Sequence, residues 1–415
     1  MLKAEIIAVG SELLTPDRTD TNSLWLTEKL NEIGIEVGAK SIIGDDEERL
    51  EKCIRTALEE SDLVITTGGL GPTEDDVTRQ VAARAVSRKL VLDEAVLEEI
   101  KRRFQHWGRE MPETNKRQAF IIDGGEMLPN PNGSAPGMFL ALGNKGLAVL
   151  PGPPREMRPM FEDHVLPRLL EKAGEVKVRR KVLKVSGMGE SAVDELISPI
   201  YKEYTSVQTT ILFNKSEIEV HLAAKARSED EAHRTLAELT AKLREKLGIA
   251  LYAENGESLE YVVGQMLKAS GKTLALAESC TGGLIAERIT DVPGSSGYFL
   301  EGAVTYSNEA KTRALGVSSE VLERYGAVSA ETAEAMARGI RERAGTDYGI
   351  SVTGIAGPDG GSEDKPVGLV YLGYADEKEL KTLRLIVPGD RFLIRWRSSQ
   401  AALDLLRRRM MKKDG

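Results

Sequence analysis

Four short stretches near the end of this 415-residue chain put a nucleophile, bases and glycines where chemistry could occur. The first is Ala277-Glu278-Ser279-Cys280-Thr281-Gly282-Gly283, between the apolar run Thr273 to Ala277 and the run Leu284 to Ile289. It reads as strand, tight turn, helix. A hydroxyl at such a turn sits beside backbone N–H groups that no helix carbonyl satisfies. That geometry suits a nucleophile with an oxyanion hole, or a phosphate site. It also suits a plain serine N-cap followed by packing glycines. The second stretch, Thr305-Tyr306-Ser307-Asn308-Glu309-Ala310-Lys311, opens a helix and places Lys311 about one helical turn beyond Tyr306. The third, Ser351 to Gly361, ends a strand in a glycine-rich loop. The fourth, Pro388-Gly389-Asp390-Arg391, starts the last helix with an arginine on its first turn.

Acyl transfer is the chemistry these residues could support. Serine is a weak nucleophile at neutral pH and needs a base. No histidine follows His233, so a Ser-His-Asp triad within this segment is excluded. A lysine of lowered pKa or a tyrosinate relay remains, and Lys311 with Tyr306 beside it is the best-placed pair. Arg391 at a helix start, together with glycine N–H groups, fits a phosphate-bearing substrate. Lys311 and Arg391 could equally be ordinary surface charges.

A second constellation lies near the start. Gly68-Gly69-Leu70-Gly71-Pro72-Thr73 follows the strand-like run Leu63 to Thr67 and precedes a helix near Asp76. That is the placement of a phosphate-cradling loop. It lacks the lysine of a Walker loop. Glu12, Asp20, Asp75 and Asp76 could gather at one sheet edge, where carboxylates suit a divalent cation and a diphosphate. The plainer alternative is helix capping by Asp20 and favourable dipole placement of Asp75 and Asp76. The loops Asn130 to Gly137, with Asn132 and Ser134, and Pro151 to Glu156 are placed to close this site.

Three segments must hold these residues. The first 172 or so alternate strand and helix, which implies a mostly parallel sheet with helices on both faces and ligands beyond the C-terminal strand ends. Residues 173–253 read strand, helix, two strands, helix, a small α+β unit whose last helix runs from Glu229 to Leu247, with Tyr252 to Ser258 read as a linker. Residues 258–415 restart the alternation, with strands expected at Gly302 to Tyr306, Tyr348 to Thr353, Val367 to Tyr374 and Leu380 to Val387, and a helix over Arg391 to Met410. The fold class is α/β throughout, with an α+β middle. Composition is that of ordinary domains: 41% hydrophobic, 29% charged, formal net charge −9. The acidic balance argues against a nucleic-acid binder. Two distant cysteines exclude a disulfide framework and point to a reducing cytoplasm. Four scattered histidines make a histidine-built zinc site improbable. No apolar stretch is long enough to span a bilayer, and the start lacks the apolar core of a signal peptide.

Ala277 to Gly283, Val304 to Lys311 and Thr353 to Gly361 together resemble the nicotinamide mononucleotide (NMN) deamidase family. Gly68 to Asp76 is similar to the molybdopterin-binding fold of molybdenum-cofactor biosynthesis proteins. The combination in this order resembles the CinA (competence/damage-inducible) family over essentially the whole chain. The resemblance implies a three-layer molybdopterin-binding-like domain at 1–172, a KH-like α+β domain at 173–253 and a deamidase domain at 258–415. It implies that the last hydrolyses the carboxamide of NMN to nicotinic acid mononucleotide and ammonia without a cofactor. Ser279 would attack, Lys311 would be its base, and Tyr306 would share their network. The N–H groups near Cys280 to Gly283 would hold the oxyanion. Thr281, Gly282, Gly283, Asn308, Thr353, Gly354 and Gly357 would bind substrate, and Arg391 its phosphate.

For the N-terminal domain the resemblance implies cleavage of ADP-ribose to AMP and ribose 5-phosphate. Gly68, Gly69, Gly71, Thr73, Asn132 and Ser134 would bind the nucleotide. Glu12, Asp20, Asp75 and Asp76 would hold a divalent metal (Mg, Mn or Co), with a monovalent cation alongside. Thr15-Pro16-Asp17-Arg18 departs from the family's glycine-containing turn. In the middle segment, Gly187-Met188-Gly189-Glu190 does not match the G-x-x-G loop of RNA-binding KH domains. Two rivals stand beside this reading: a pterin- or nucleotide-binding N-terminal module without catalysis, and a non-catalytic interaction protein linked to DNA uptake or recombination. A homodimer is expected for such folds.

Overall fold

The computed structural model describes residues 2–106, 108–172 and 177–412, and the expected boundary after residue 172 abuts positions outside that range. The chain divides into two compact units: Met1–Arg179 with Lys225–His233, and Arg180–Ala224 with Arg234–Gly415. Among the described residues no helix is long and apolar enough to cross a membrane.

The first unit is built on a six-stranded sheet. Its spatial order is Glu36–Ile43, Lys3–Val9, Leu63–Thr67, Lys145–Leu150, Gly137–Leu142, Glu126–Leu128. The first four strands run parallel, Gly137–Leu142 turns back antiparallel to them, and Glu126–Leu128 pairs antiparallel with Gly137–Leu142. Successive residues point to opposite faces, and each face has its own apolar layer. Ile7 and Val64 pack with Leu50, Ile54 and Val81. Ile6 and Ile65 pack with Leu26, Leu30 and Phe161. Every residue of Leu63–Thr67 is buried, as a central strand covered on both faces requires. Three parallel strands therefore deliver Gly10, Gly68 and Pro151 to one edge of the sheet.

In the middle segment the strands order as Val207–Asn214, Glu217–Ala226, Lys177–Ser186, Leu251–Ala253. The last of these was read from sequence as linker. Helix Glu229–Leu247 buries Ala232, Leu236, Leu239 and Leu243 along one face. Gly187 is exposed, at the end of strand Lys177–Ser186. The Ser186 carbonyl beside it accepts from Arg408 Nη2 at 3.1 Å, and Asp404 holds Arg408 Nε at 2.7 Å.

The C-terminal sheet orders as Phe299–Val304, Leu274–Glu278, Tyr348–Gly354, Leu369–Ala375, Leu380–Ile386. Its first three strands are parallel and its last two antiparallel. Leu274 and Leu276 face helices Leu259–Ser270 and Arg391–Met411. Ala275 and Ala277 face helix Ala330–Ala344. The edge strand ends at Val304, two residues earlier than expected, so Tyr306 stands outside the sheet.

Candidate functional site

Ser279 is delivered by the buried strand Leu274–Glu278, which is flanked on both sides by parallel neighbours. The residue before it governs the turn. Glu278, 1% exposed, curls its carboxylate over the start of helix Leu284–Thr290. It accepts from the N–H groups of Gly283 (3.0 Å), Ile285 (3.1 Å) and Ala286 (2.8 Å). Gly282 N–H donates to the Ser279 carbonyl at 3.0 Å. Gly282 and Gly283 adopt φ of +63° and +94°, conformations an L side chain resists, so the turn needs both glycines. The expectation of N–H donors from Cys280 through Gly283 is thereby narrowed. Gly282 and Gly283 are committed, whereas the N–H groups of Cys280 and Thr281 donate to no other residue among those described, the Cys280 N–H lying against its own thiol.

Lys311 lies on helix Asn308–Leu315, capped by Ser307, and is 1% exposed. Its Nζ is 3.2 Å from Ser279 Oγ, 2.9 Å from the Thr305 carbonyl and 3.4 Å from the Tyr306 carbonyl. None of these partners is a carboxylate. Burial holds its pKa below the ordinary lysine range, because the charged form loses water that no counter-charge replaces. Cys280, next to the serine, is 5% exposed, and burial pushes its thiol up to about 12. It is therefore not a competing nucleophile.

Tyr306 departs from expectation. It is 61% exposed, and its hydroxyl accepts from Arg391 Nη2 at 3.0 Å rather than approaching Ser279. A tyrosinate relay has no geometric support here. Arg391 also donates to the Gly357 carbonyl at 2.7 Å, so the glycine loop and the last helix meet at this guanidinium. Thr353 is buried, with its hydroxyl donating to the Ala327 carbonyl at 2.6 Å. Gly354 ends the strand, and Asn308 is the first residue of the lysine helix. Thr281 is fully buried, and its hydroxyl has no partner among the described residues. Two residues not foreseen belong to this site: Glu278, and Arg395, whose Nε and Nη2 donate to the Thr281 carbonyl at 3.2 and 2.7 Å.

The first unit carries a cavity of about 940 Å³ at the delivered strand ends. Gly68, Gly69, Gly71, Ser134, Glu12, Asp20 and Asp76 line it, while Thr73, Asn132 and Asp75 do not. A side-chain Cβ at Gly68 would lie 2.1 Å from the Val9 carbonyl, and one at Gly69 2.2 Å from Thr78 Oγ1. This loop is close-packed against its neighbours and cannot carry larger residues. The N–H groups of Gly69, Leu70 and Gly71 donate to no group among the described residues, as an anion cradle requires. Behind the loop the Leu70 carbonyl accepts from buried Arg79 at 3.1 Å. Burial pushes the Arg79 pKa down to about 10, which leaves it charged at neutral pH.

The four carboxylates expected to gather do not form one cluster. Among the described residues no group of three or more His, Cys, Asp or Glu could hold a metal. Asp20 caps helix Thr21–Glu32 through Ser23 N–H at 3.0 Å. Asp76 accepts from Thr73 N–H and Oγ1 at 2.9 and 2.5 Å, and the following helix starts at Thr78. Asn22, also unforeseen, lines the cavity; its amide donates to Thr67 Oγ1 at 2.9 Å and to the Gly152 carbonyl at 2.7 Å.

Residues 256–410 match the CinA C-terminal domain, residues 5–171 the probable molybdopterin binding domain, and residues 180–253 the damage-inducible protein CinA KH domain. A CinA-like protein of Solibacter usitatus is 49% identical over 412 residues, spanning 99% of each chain. A putative competence-damage inducible protein of Acetivibrio thermocellus is 45% identical over 414 residues, spanning 100% of each. Among solved structures, the competence/damage inducible protein CihA of Agrobacterium tumefaciens is 38% identical, covering 37% of this chain and 96% of its own, with a TM-score of 0.35. The chain therefore belongs to the CinA family of competence- and damage-inducible proteins, with a molybdopterin-binding-like N-terminal domain, a KH-like middle domain and a CinA C-terminal domain.

Proposed function

We propose that the C-terminal domain is a serine amidohydrolase acting on the carboxamide of nicotinamide mononucleotide. The observation that carries this reading is the contact of a buried lysine, without a carboxylate partner, with a serine hydroxyl at 3.2 Å. An unpaired buried ammonium is costly to keep, and the usual reason to keep one is chemistry. Neutral Lys311 takes the Ser279 Oγ proton as the oxygen attacks the carboxamide carbon. The oxyanion forms against the N–H groups of Cys280 and Thr281. Lys311 then returns the proton to the departing nitrogen, and ammonia leaves a nicotinoyl ester on Ser279. Water, deprotonated by the same amine, cleaves that ester to the acid. Arg391 holds the nucleotide phosphate in this reading. Ammonia release from NMN by the full chain tests it, and near-normal release by Ser279→Ala would remove Ser279 from the mechanism.

For the N-terminal domain the reading is ADP-ribose cleavage to AMP and ribose 5-phosphate. Its support is the cavity that joins unpartnered loop N–H groups to the carboxylates Glu12, Asp20 and Asp76. A Mg²⁺-type ion is commonly held by one or two carboxylates together with substrate phosphates, which suits residues that line a cavity without clustering. In this reading Glu12 and Asp76, which both line the cavity, share it. Such an ion would neutralise charge building on the diphosphate. Full-length Ser279→Ala incubated with ADP-ribose and Mg²⁺, Mn²⁺ or Co²⁺ is expected to yield AMP. Binding without AMP would leave a ligand-binding module related to the molybdopterin-binding domains.

A further inference from the structure

The turn that carries Ser279 is held from two sides. From below, Glu278 fixes three N–H groups at the helix start. From above, Arg395 fixes the Thr281 carbonyl with two donors of one guanidinium. Between them the backbone runs Thr281-Gly282-Gly283, where two positive-φ glycines offer little intrinsic resistance to peptide rotation. The Thr281 carbonyl accepts a long bond from Leu284 N–H at 3.4 Å, and its shorter, charge-assisted bonds come from Arg395. The two N–H groups left over for an oxyanion, Cys280 and Thr281, sit immediately before that carbonyl.

Arg395 has a second connection. It lies four residues after Arg391 on helix Arg391–Met411, so the two side chains share a helix face one turn apart. Arg391 in turn touches the Gly357 carbonyl and the Tyr306 hydroxyl, both on loops outside the catalytic turn. One rigid helix end thus joins the expected phosphate contact to the oxyanion turn.

We propose that Arg395 is a positioning residue that couples phosphate engagement at Arg391 to alignment of the oxyanion donors, so that the phosphate of the substrate raises the rate of the chemical step as well as affinity. Binding energy from a remote, non-reacting group is then spent on orientation at the reacting centre. This inference rests on the reading of the C-terminal domain as an NMN amidohydrolase with its phosphate at Arg391.

The test compares NMN with nicotinamide riboside, which carries the same carboxamide and lacks the phosphate, on the full-length chain and on Arg395→Lys. Wild type is expected to lose about tenfold or more in kcat when the phosphate is absent. Arg395→Lys keeps the charge and loses the two-donor grip on Thr281. It is expected to lower kcat for NMN about tenfold or more, with KM within about threefold, and to narrow the gap between the two substrates. A raised KM at unchanged kcat would make Arg395 a direct phosphate ligand and overturn the proposal. So would a variant that behaves as wild type, or an unchanged gap between substrates. Arg395 is only half-buried, and Arg395→Gln repeats the measurement should the lysine variant fail to fold. Wild type that releases no ammonia from NMN would instead refute the amidohydrolase reading, and this inference with it.

Discussion

Replacing Lys311 by methionine separates catalysis from stability. The substitution keeps the length and apolar stem of the side chain and removes the amine 3.2 Å from Ser279 Oγ. A general base of this kind contributes about 10²- to 10⁴-fold in rate. At ~1.36 kcal/mol per factor of ten that corresponds to about 2.7–5.4 kcal/mol of transition-state stabilisation. The stability side runs the other way. The carbonyls of Thr305 and Tyr306 lose a donor, at about 1 kcal/mol each. Against this, the desolvation penalty of a buried ammonium with no carboxylate partner is removed. The net expectation is a nearly inactive variant whose stability relative to wild type improves as pH falls.

The pH dependence fixes the sign. With the folded-state pKa of Lys311 below that of the unfolded chain, the native state binds fewer protons between the two values. Wild-type stability therefore rises with pH through that window, and the burial penalty is felt in full below the folded-state pKa. The stabilising effect of the methionine is largest there and vanishes above the unfolded lysine pKa. Activity needs the neutral amine, so wild-type kcat should climb with pH through the lowered pKa. Ammonia release and thermal unfolding, each measured across pH, read both halves. A methionine variant that keeps activity within about tenfold of wild type would refute Lys311 as the base. One destabilised at all pH values would refute the account of an unpaired, penalised charge.

Further expectations follow from single contacts. Arg391→Ala should lower kcat/KM for NMN by about 10- to 100-fold, the worth of a charge-assisted bond to phosphate, and an unchanged kcat/KM would place the phosphate elsewhere. Asp20→Asn retains an N-cap acceptor for Ser23 and removes the charge, whereas Asp20→Ala should cost about 1 kcal/mol of stability. If the asparagine variant is as stable as wild type yet forms AMP from ADP-ribose more slowly, the carboxylate acts in the cavity. If AMP formation is unchanged, Asp20 is a cap alone. Gly68→Ala drives a Cβ to 2.1 Å from the Val9 carbonyl at a φ of +109°, and should destabilise the first unit by about 3 kcal/mol or more. An unshifted calorimetric transition would contradict that packing.

Much of the architecture was legible where apolar runs are bounded by strong punctuation. Leu63–Thr67, stopped by two glycines, and Leu284–Thr290, opened by two, were read at their observed ends. So was helix Glu229–Leu247, whose leucines recur on one face. Edge strand Phe299–Val304 was misplaced because its apolar side chains do not mark a buried face: Leu300 and Val304 are both about half exposed. Helix Ala330–Ala344 went unread, although Ala333, Met336, Ala337 and Ile340 keep helical spacing, because two of the four are alanines and give a weak apolar signal.

At the sites, the absence of a later histidine and the helix spacing made Lys311 the best-placed candidate partner for Ser279, and the family resemblance implied their pairing. The direction of the Tyr306 hydroxyl depended on where Arg391 lands, which local sequence does not encode. Arg395 was within reach of a four-residue periodicity from Arg391. Glu278 was not, since a carboxylate at a strand end gives no sign that it will reach forward to cap the next helix. The N-terminal carboxylates were overread as one cluster because capping and cavity lining use the same residue types at the same loop ends.

Cys280 gives the serine an unusual neighbour. With its thiol pushed up to about 12 by burial, the thiolate is a rare form at neutral pH. Alkylating agents, peroxides and disulfide-forming oxidants all act through that thiolate. If Ser279 is the nucleophile proposed above, its activity should survive redox stress that silences thiol enzymes, although a cysteine stands directly beside it.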